Sequence, residues 1–464
     1  MSHFLYNFRE FSLCFFTKYS NSLNTLSIYV YYDVKVEKGE VVSLSIITTN
    51  DLTFAELYNY LKLEVRLMSN QDQSKGLDRR SFIKVGGMST LALTLATAGL
   101  PGDILTGKVH AEENENPKLA FNSDGKFKVV QFNDTQDDER IDRRTIELME
   151  KVLDSEKPDF VVLNGDNIAG GCDTELEMKQ AMNNVVQPME KRGINWAATF
   201  GNHDEDSTSM SGMDKNDMLK FYMQYKYNKN DVGERGLTGT GNMNLLIRHS
   251  KGNKAAFNLW LLDSGEYAPK TIAGQNFNGY PTWDWLRFNQ VNWYYEKSKS
   301  IEKKYGYKVP SLVFIHIPLW EHRFMWWGSV DNRTQSSHDL AVARHNIVGE
   351  RNEDECPGPV NGGLFSAMLE RGDVKGVFCG HDHINTYCGN YYGIMLGYAG
   401  NTGFGTYGLT GAERNRLRGA RVFNLDENKE GVLVETHMVF AKDYGIDLTA
   451  NDQSMDPLPL SDKK

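Results

Sequence analysis

The sequence has no basic excess and no long basic run: its 464 residues carry a formal net charge of −10. A surface built to neutralise a phosphate backbone needs the opposite balance, so the charge argues against a nucleic-acid-binding face. Nor is any stretch long and apolar enough to span a bilayer, so no transmembrane anchor is expected. Cysteine is sparse, with five residues in all. What remains is ordinary for a globular protein, 40% hydrophobic and 24% charged. One large domain or two moderate ones could bury a core in a chain of this length.

The N-terminal part reads as address rather than fold. Residues 78–84 are DRRSFIK, followed by VGGMSTLALTLATAGL. Paired arginines, a Phe, a Lys and then a small-residue apolar stretch make a twin-arginine export signal. The bland alternative is a basic turn before a short buried helix. Gly86, Gly87 and the VHA at 109–111 favour the signal, with cleavage after Ala111. That implies the twin-arginine translocation machinery as a partner and an extracellular, periplasmic or cell-surface location. Residues 1–67 show irregular aromatic runs and no sustained helical or strand period. Met68 opens a leader of normal length, so translation is expected to start there, with 1–67 a mis-assigned upstream segment. A genuine extension is the alternative. Past the leader the chain keeps Cys172, Cys356, Cys379 and Cys388, compatible with disulfides or with free thiols.

From about residue 120, strand-like and helix-like segments alternate, as in an α/β domain. Five strand candidates run straight into polar residues: KFKVVQF into NDTQDDE, DFVVLNGDN, INWAATFGNHDED, SLVFIHIPLW and GVFCGHDH. Between the first two, Ile146, Met149 and Leu153 share a helical face that stops at Pro158. Thr174 and Glu177 form a capping box before the next helix. Open α/β sheets bind ligands at the carboxyl ends of their strands. Asp134, Asp166, Asn202, His316, His381 and His383 can therefore converge although they are scattered along the chain. Any one alone reads more simply as a capping or loop residue; the five-fold recurrence favours a site. Mixed Asp, His and amide donors without Cys suit Mn, Fe or Zn and not a structural zinc.

This series of motifs resembles the calcineurin-like metallophosphoesterases, over about residues 126–440. The motifs are NDTQ at 133–136, GDN at 165–167, GNHD at 201–204, the His of FIHIP at 316 and GHDH at 380–383. The run GDVKGVFCGHDHINTYCG looks most like the purple-acid-phosphatase-like branch of small plant and fungal type. The resemblance implies an α/β, four-layer αββα sandwich of two mixed β-sheets; the residues beyond about 440 read as a polar C-terminal tail. It also implies two divalent ions, Mn in first place. One would be held by Asp134, Asp166 and His383, the other by Asp166, Asn202, His316 and His381. Asp382, between the two histidines, would orient the turn. At Gln136 the wider family has a histidine ligand and the purple enzymes a tyrosine three residues after the bridging Asp, here Ala169. Gln136 is thus either a weak ligand or a hydrogen-bond partner of a metal-bound water.

The same resemblance implies in-line attack on a phosphate monoester by a metal-bridging hydroxide, with His203, held by Asp204, protonating the leaving group. The alternative for His203 is a structural histidine under the loop. Asn202, His203 and His322 are candidate substrate contacts. The long segment 206–245 reads as a lid, and the aromatic clusters at 280–295 and 319–329 as pocket walls or as core. Two other activities fit the same motifs: a phosphodiesterase or nucleotide phosphohydrolase, and a catalytically weak surface-binding protein.

Overall fold

The computed structural model describes residues 119–279 and 283–460, together with three strands nearer the N-terminus. The chain divides into two compact units, 1–109 and 110–464. In the first, Ile28–Glu37 and Glu40–Thr49 pair antiparallel, and Lys18–Tyr19 pairs with the former. This differs from the expectation of no strand period in 1–67. Dense β-branched and aromatic residues favour strand by propensity even where apolar and polar positions do not alternate. The twin-arginine residues and Ala111 lie outside the described residues.

The second unit is built on two sheets. The first strands are β1 (Leu119–Ala120), β2 (Lys126–Phe132), β3 (Phe160–Asn164) and β4 (Asn195–Thr199). Helices α1 (Arg143–Glu156) and α2 (Glu175–Arg192) join β2 to β3 and β3 to β4. Further along come β5 (Met243–Arg248), β6 (Ala255–Leu261), α3 (Phe288–Tyr305), β7 (Ser311–Phe314) and α4 (Trp320–Trp327). The chain closes with α5 (Leu364–Arg371), β8 (Val374–Cys379), β9 (Cys388–Tyr391), β10 (Ile394–Tyr398), β11 (Gly419–Asp426) and β12 (Leu433–Phe440). One sheet runs β12-β11-β2-β3-β4 and the other β9-β10-β8-β7-β6-β5-β1. Both are mixed. The strands that carry the motifs, β2-β3-β4 and β7-β8, are parallel neighbours within their sheets.

Burial on both strand faces explains the near-continuous apolar runs. Phe127, Val129, Phe160 and Val162 face Phe257, Leu259, Leu312 and Phe314 between the sheets. The alternate residues Val130, Phe132, Val161 and Leu163 pack against Leu148, Met149, Val152 and Val185 of α1 and α2. On the far side Val313, Ile315 and Val377 meet Trp293, Tyr294 and Met368 of α3 and α5. Each such side chain contributes roughly 1.5–3 kcal/mol of burial. This is the four-layer arrangement expected from the motifs.

Ile146, Met149 and Leu153 are buried on one face of α1, as the sequence predicts. The Thr174–Glu177 capping box is present. The polar C-terminal segment is tied to the domain. Arg144, fully buried, bonds the carbonyls of Thr449 (2.7 Å) and Asn451 (2.6 Å), and Leu458 N donates to Asn184 Oδ1 (2.8 Å). Ile446 and Met455 join the helix-side core. A segment without regular structure is held here by side-chain bonds to its backbone, which composition does not reveal.

Candidate metal centre

Each motif follows a strand end and bends there. Asp134 (φ 50°), Gln136 (φ 27°), Asp166 (φ 46°) and His381 (φ 72°) all adopt left-handed backbone. Such a conformation costs a non-glycine residue roughly 1–3 kcal/mol and persists only where surroundings enforce it. Here Asp134 N donates to Gly165 O (3.1 Å) and Gln136 N to Asp166 O (3.0 Å), locking two motif loops together. The motif glycines are required by proximity. A Cβ at Gly165 would lie 2.6 Å from His316 Nδ1, and one at Gly380 2.6 Å from Asp134 Oδ2.

Among the described residues, two groups of side chains place donor atoms within 4.8 Å of one another: Asp166, His316 and His381, and Asp134, Asp166 and His383. All are buried, and Asp166 belongs to both. His316 Nε2 is 3.1 Å from Asp166 Oδ2, and His383 Nε2 is 3.4 Å from Asp134 Oδ1. Nevertheless Asp166 Oδ2, His316 Nε2, His381 Nε2 and both amide atoms of Asn202 are buried without a hydrogen-bond partner. Buried polar atoms are rarely left so. His316 Nδ1 faces Asn164 O at 3.0 Å, which places the proton on Nδ1 in the neutral ring and leaves Nε2 a lone-pair donor. The residues fit two metal ions.

The electrostatics agree. Burial opposes charge on His316, yet the carboxylates of Asp166 and Asp134 push it up to about 9. Burial also opposes charge on Asp166, but the histidines His316 and His203 hold its carboxyl below the ordinary range. His381 is kept neutral by burial and by its neighbour His316. The pocket therefore attracts positive charge while keeping an imidazole lone pair free.

The remaining candidates divide. Gln136 Oε1 accepts from Thr406 Oγ1 (3.0 Å), which is 3.2 Å from His383 Nδ1, so the amide braces a donor of the cluster. Asp382 faces away, accepting from Tyr398 Oη (2.7 Å) and Cys356 N (3.3 Å), and thereby ties the GHDH turn to its surroundings. His203, one-third exposed, donates its backbone N–H to Asp166 Oδ1 (2.8 Å). Its Nδ1 lies 2.5 Å from Asp206 Oδ2. Burial lowers its basicity, but the bond to Asp206 and the Asp166 charge outweigh that and raise it.

The calcineurin-like phosphoesterase family model matches residues 127–385, more than half the chain and all five motifs. The chain belongs to the calcineurin-like phosphoesterase family. A relative from Arabidopsis thaliana named probable inactive purple acid phosphatase 14 is 33% identical, over 72% of this chain and 83% of its own. Another from the same plant, probable inactive purple acid phosphatase 29, is 32% identical over 68% and 80%. Phosphatase DCR2 of Saccharomyces cerevisiae is 28% identical over 67% of this chain and 54% of its own. A crystal structure of a dimetal phosphatase from Danio rerio covers 68% of this chain and 99% of its own, at 12% identity and a TM-score of 0.40. As a calcineurin-like phosphoesterase, the protein is a hydrolase of phosphoric ester bonds.

Three expectations for this phosphoesterase are corrected. Asp204 does not hold His203: its buried carboxylate accepts from the amides of Gly201 (2.7 Å), Asn167 (2.9 Å) and Ile168 (3.3 Å), fastening two motif loops. His322 is no substrate contact. It is fully buried on α4 with Nε2 3.5 Å from Cys379 Sγ, and burial pushes its pKa down to about 4. The segment 206–245 is in part core, since Met213, Met218, Leu219, Phe221, Tyr222 and Tyr225 pack under β4 and α2, so it does not lie over the site as a free lid. Of the aromatic clusters, Trp293 and Tyr294 are core, whereas Trp283 stands edge-on to His381 with centroids 4.6 Å apart. Sequence reasoning missed Asp206, Tyr267, Thr406 and Tyr407. Tyr407 stacks on His383 at 4.0 Å and bonds Glu353 (2.9 Å). No sequence motif marks these four. The four cysteines of the second unit are free thiols.

Proposed function

We propose that this phosphoesterase hydrolyses phosphate monoesters with two divalent ions, manganese foremost, and that it acts after export through its twin-arginine segment. The observation that carries the reading is the pair of buried donor groups sharing Asp166, with His203 poised at the rim. Oxygen and imidazole donors without thiolate suit Mn, Fe or Zn. Two divalent ions, when bound, supply positive charge for the phosphoryl oxygens and a nucleophile from water at neutral pH. Asp166 fixes the spacing of the two donor groups, and the buried Asn202 amide can offer its oxygen to a metal and its N–H to a phosphate oxygen. Asp206 holds His203 through Nδ1, so that Nε2 can deliver a proton to the leaving oxygen.

The word inactive in the names of the plant relatives is said of those proteins. In this chain Asp134, Asp166, His316, His381 and His383 cluster in two donor groups, which supports turnover. The test is purification of residues 112–464, elemental analysis, and assay on mono- and diester substrates with Mn, Fe or Zn supplied. Two metal equivalents with monoester turnover are expected. Diester turnover alone would move the reading to a phosphodiesterase, and silence on both to a binding protein.

A further inference from the structure

The segment between β6 and α3 carries two aromatic rings to the metal centre. Tyr267 and Trp283 pair through an isolated antiparallel bridge, with ring centroids 5.5 Å apart. Trp283 reaches His381 of one donor group edge-on at 4.6 Å. Tyr267 reaches His203 edge-on at 6.3 Å, and its hydroxyl donates to Asp206 Oδ1 at 3.2 Å. The two rings thus bridge the metal-binding side and the proton-donating side of one site. Tyr267 keeps 46% of its surface exposed although its hydroxyl is bonded.

The segment is anchored at its base. Gly265 N donates to Asp263 Oδ1 (3.0 Å), Ile317 N to Ser264 Oγ (2.9 Å), and Asp284 N to Glu266 O (3.0 Å). Gly265 has φ +88°, and a Cβ there would lie 2.6 Å from the Asp284 Cβ, so the close approach needs glycine. The rings are held in place before any ligand arrives, which favours recognition of a rigid partner.

We propose that Tyr267 and Trp283 form a stacking wall for the leaving group, selecting phosphate monoesters whose ester oxygen is bonded directly to a planar aromatic ring. The proposal rests on the monoesterase reading and names its substrate class. His203 must touch the leaving oxygen to protonate it, and Tyr267 stands beside His203. A group that stacks on Tyr267 is therefore immediately next to that oxygen, which suits an aryl ester better than a nucleotide, whose base is a sugar away. In the reaction the P–O bond to the aryl oxygen breaks as a P–O bond to a water oxygen forms. The aryl oxygen takes the His203 proton, and the proton lost by water passes to solvent.

The test compares binding of phenyl-, cyclohexyl- and methylphosphonate to the manganese-loaded protein by calorimetry, with and without Tyr267→Leu. These ligands are not turned over, so the result stands whether or not the enzyme reading does. Wild type should bind the phenyl compound about tenfold or more tightly than the cyclohexyl one, as base–aromatic stacking does elsewhere. Tyr267→Leu should erase that ratio and leave methylphosphonate unchanged, while Tyr267→Phe should keep it. In turnover, kcat/KM on phenyl phosphate should fall in Tyr267→Leu more than on adenosine 5′-monophosphate. An unchanged phenyl-to-cyclohexyl ratio in Tyr267→Leu, or equal falls for all three phosphonates, would overturn the wall. Absence of turnover in wild type with the phenyl preference intact would instead remove the monoesterase reading.

Discussion

His203 gives its Nδ1 to Asp206 Oδ2, 2.5 Å away and three residues further on, while the adjacent Asp204 faces the opposite way. The turn closed by Asp206 N on His203 O (3.0 Å) brings residue i+3 back under residue i. Asp206→Asn should lower kcat by about ten- to a hundredfold, as the loss of an orienting partner does. His203→Ala should cost about two to four orders of magnitude. Both should keep their metal. Asp204→Asn should instead lower the melting temperature, because an amide offers only one acceptor oxygen to three backbone donors. Steady-state kinetics and thermal melts separate the two acids, and an Asp204 variant that melts like wild type would contradict its fastening role.

Asp166→Asn should remove both metal equivalents and bring turnover below detection. The shared carboxylate is the only negative group common to the two donor sets. Elemental analysis after gel filtration reads the outcome. Two metals retained at wild-type affinity would show that the two sets do not share this residue.

Gln136 acts through Thr406 on His383, so its loss should weaken one metal and spare the other. Gln136→Ala and Thr406→Val should each loosen that ion by about ten- to a hundredfold, the usual cost of losing an outer hydrogen bond. Chelator competition with manganese would then resolve a fast and a slow release. Gln136→His should tighten the same site and favour Zn or Fe over Mn. Uniform release in every variant would detach Gln136 from the centre.

His322 makes a prediction about acid. Its folded pKa, about 4, lies below the ordinary value near 6.5. Above pH 6.5 neither state binds this proton and stability is unaffected. As pH falls below 6.5 the unfolded chain takes the proton first, and the folded state loses ground until about pH 4. His322→Phe should therefore gain about 2 kcal/mol relative to wild type between pH 7 and pH 5. Urea melts at the two pH values check it, and activity on monoesters should survive the substitution. A constant difference would mean that the ring titrates alike in the folded and unfolded chain.

The sequence alone determined the ladder of strand-end residues and with it the fold and the candidate metal donors. Asp134, Asp166, Asn202, His316, His381 and His383 each follow an apolar run by one to four residues. Position in a strand is a local property, and parallel strands bring their carboxyl ends together. Likewise the capping box at Thr174 and the apolar face of α1 need only neighbours in sequence. The rest was decided by contacts between distant segments. Whether His203 meets Asp204 or Asp206 depends on the direction of one turn. Whether His322 meets substrate or Cys379 depends on how α4 lies on its sheet. Tyr267 reaches the site because the chain beyond Asp263 turns back beside His203, and the C-terminal segment is held because Arg144 is buried beside it. Apart from that turn, those outcomes arise from packing between segments tens to hundreds of residues apart, and no spacing in the chain encodes them.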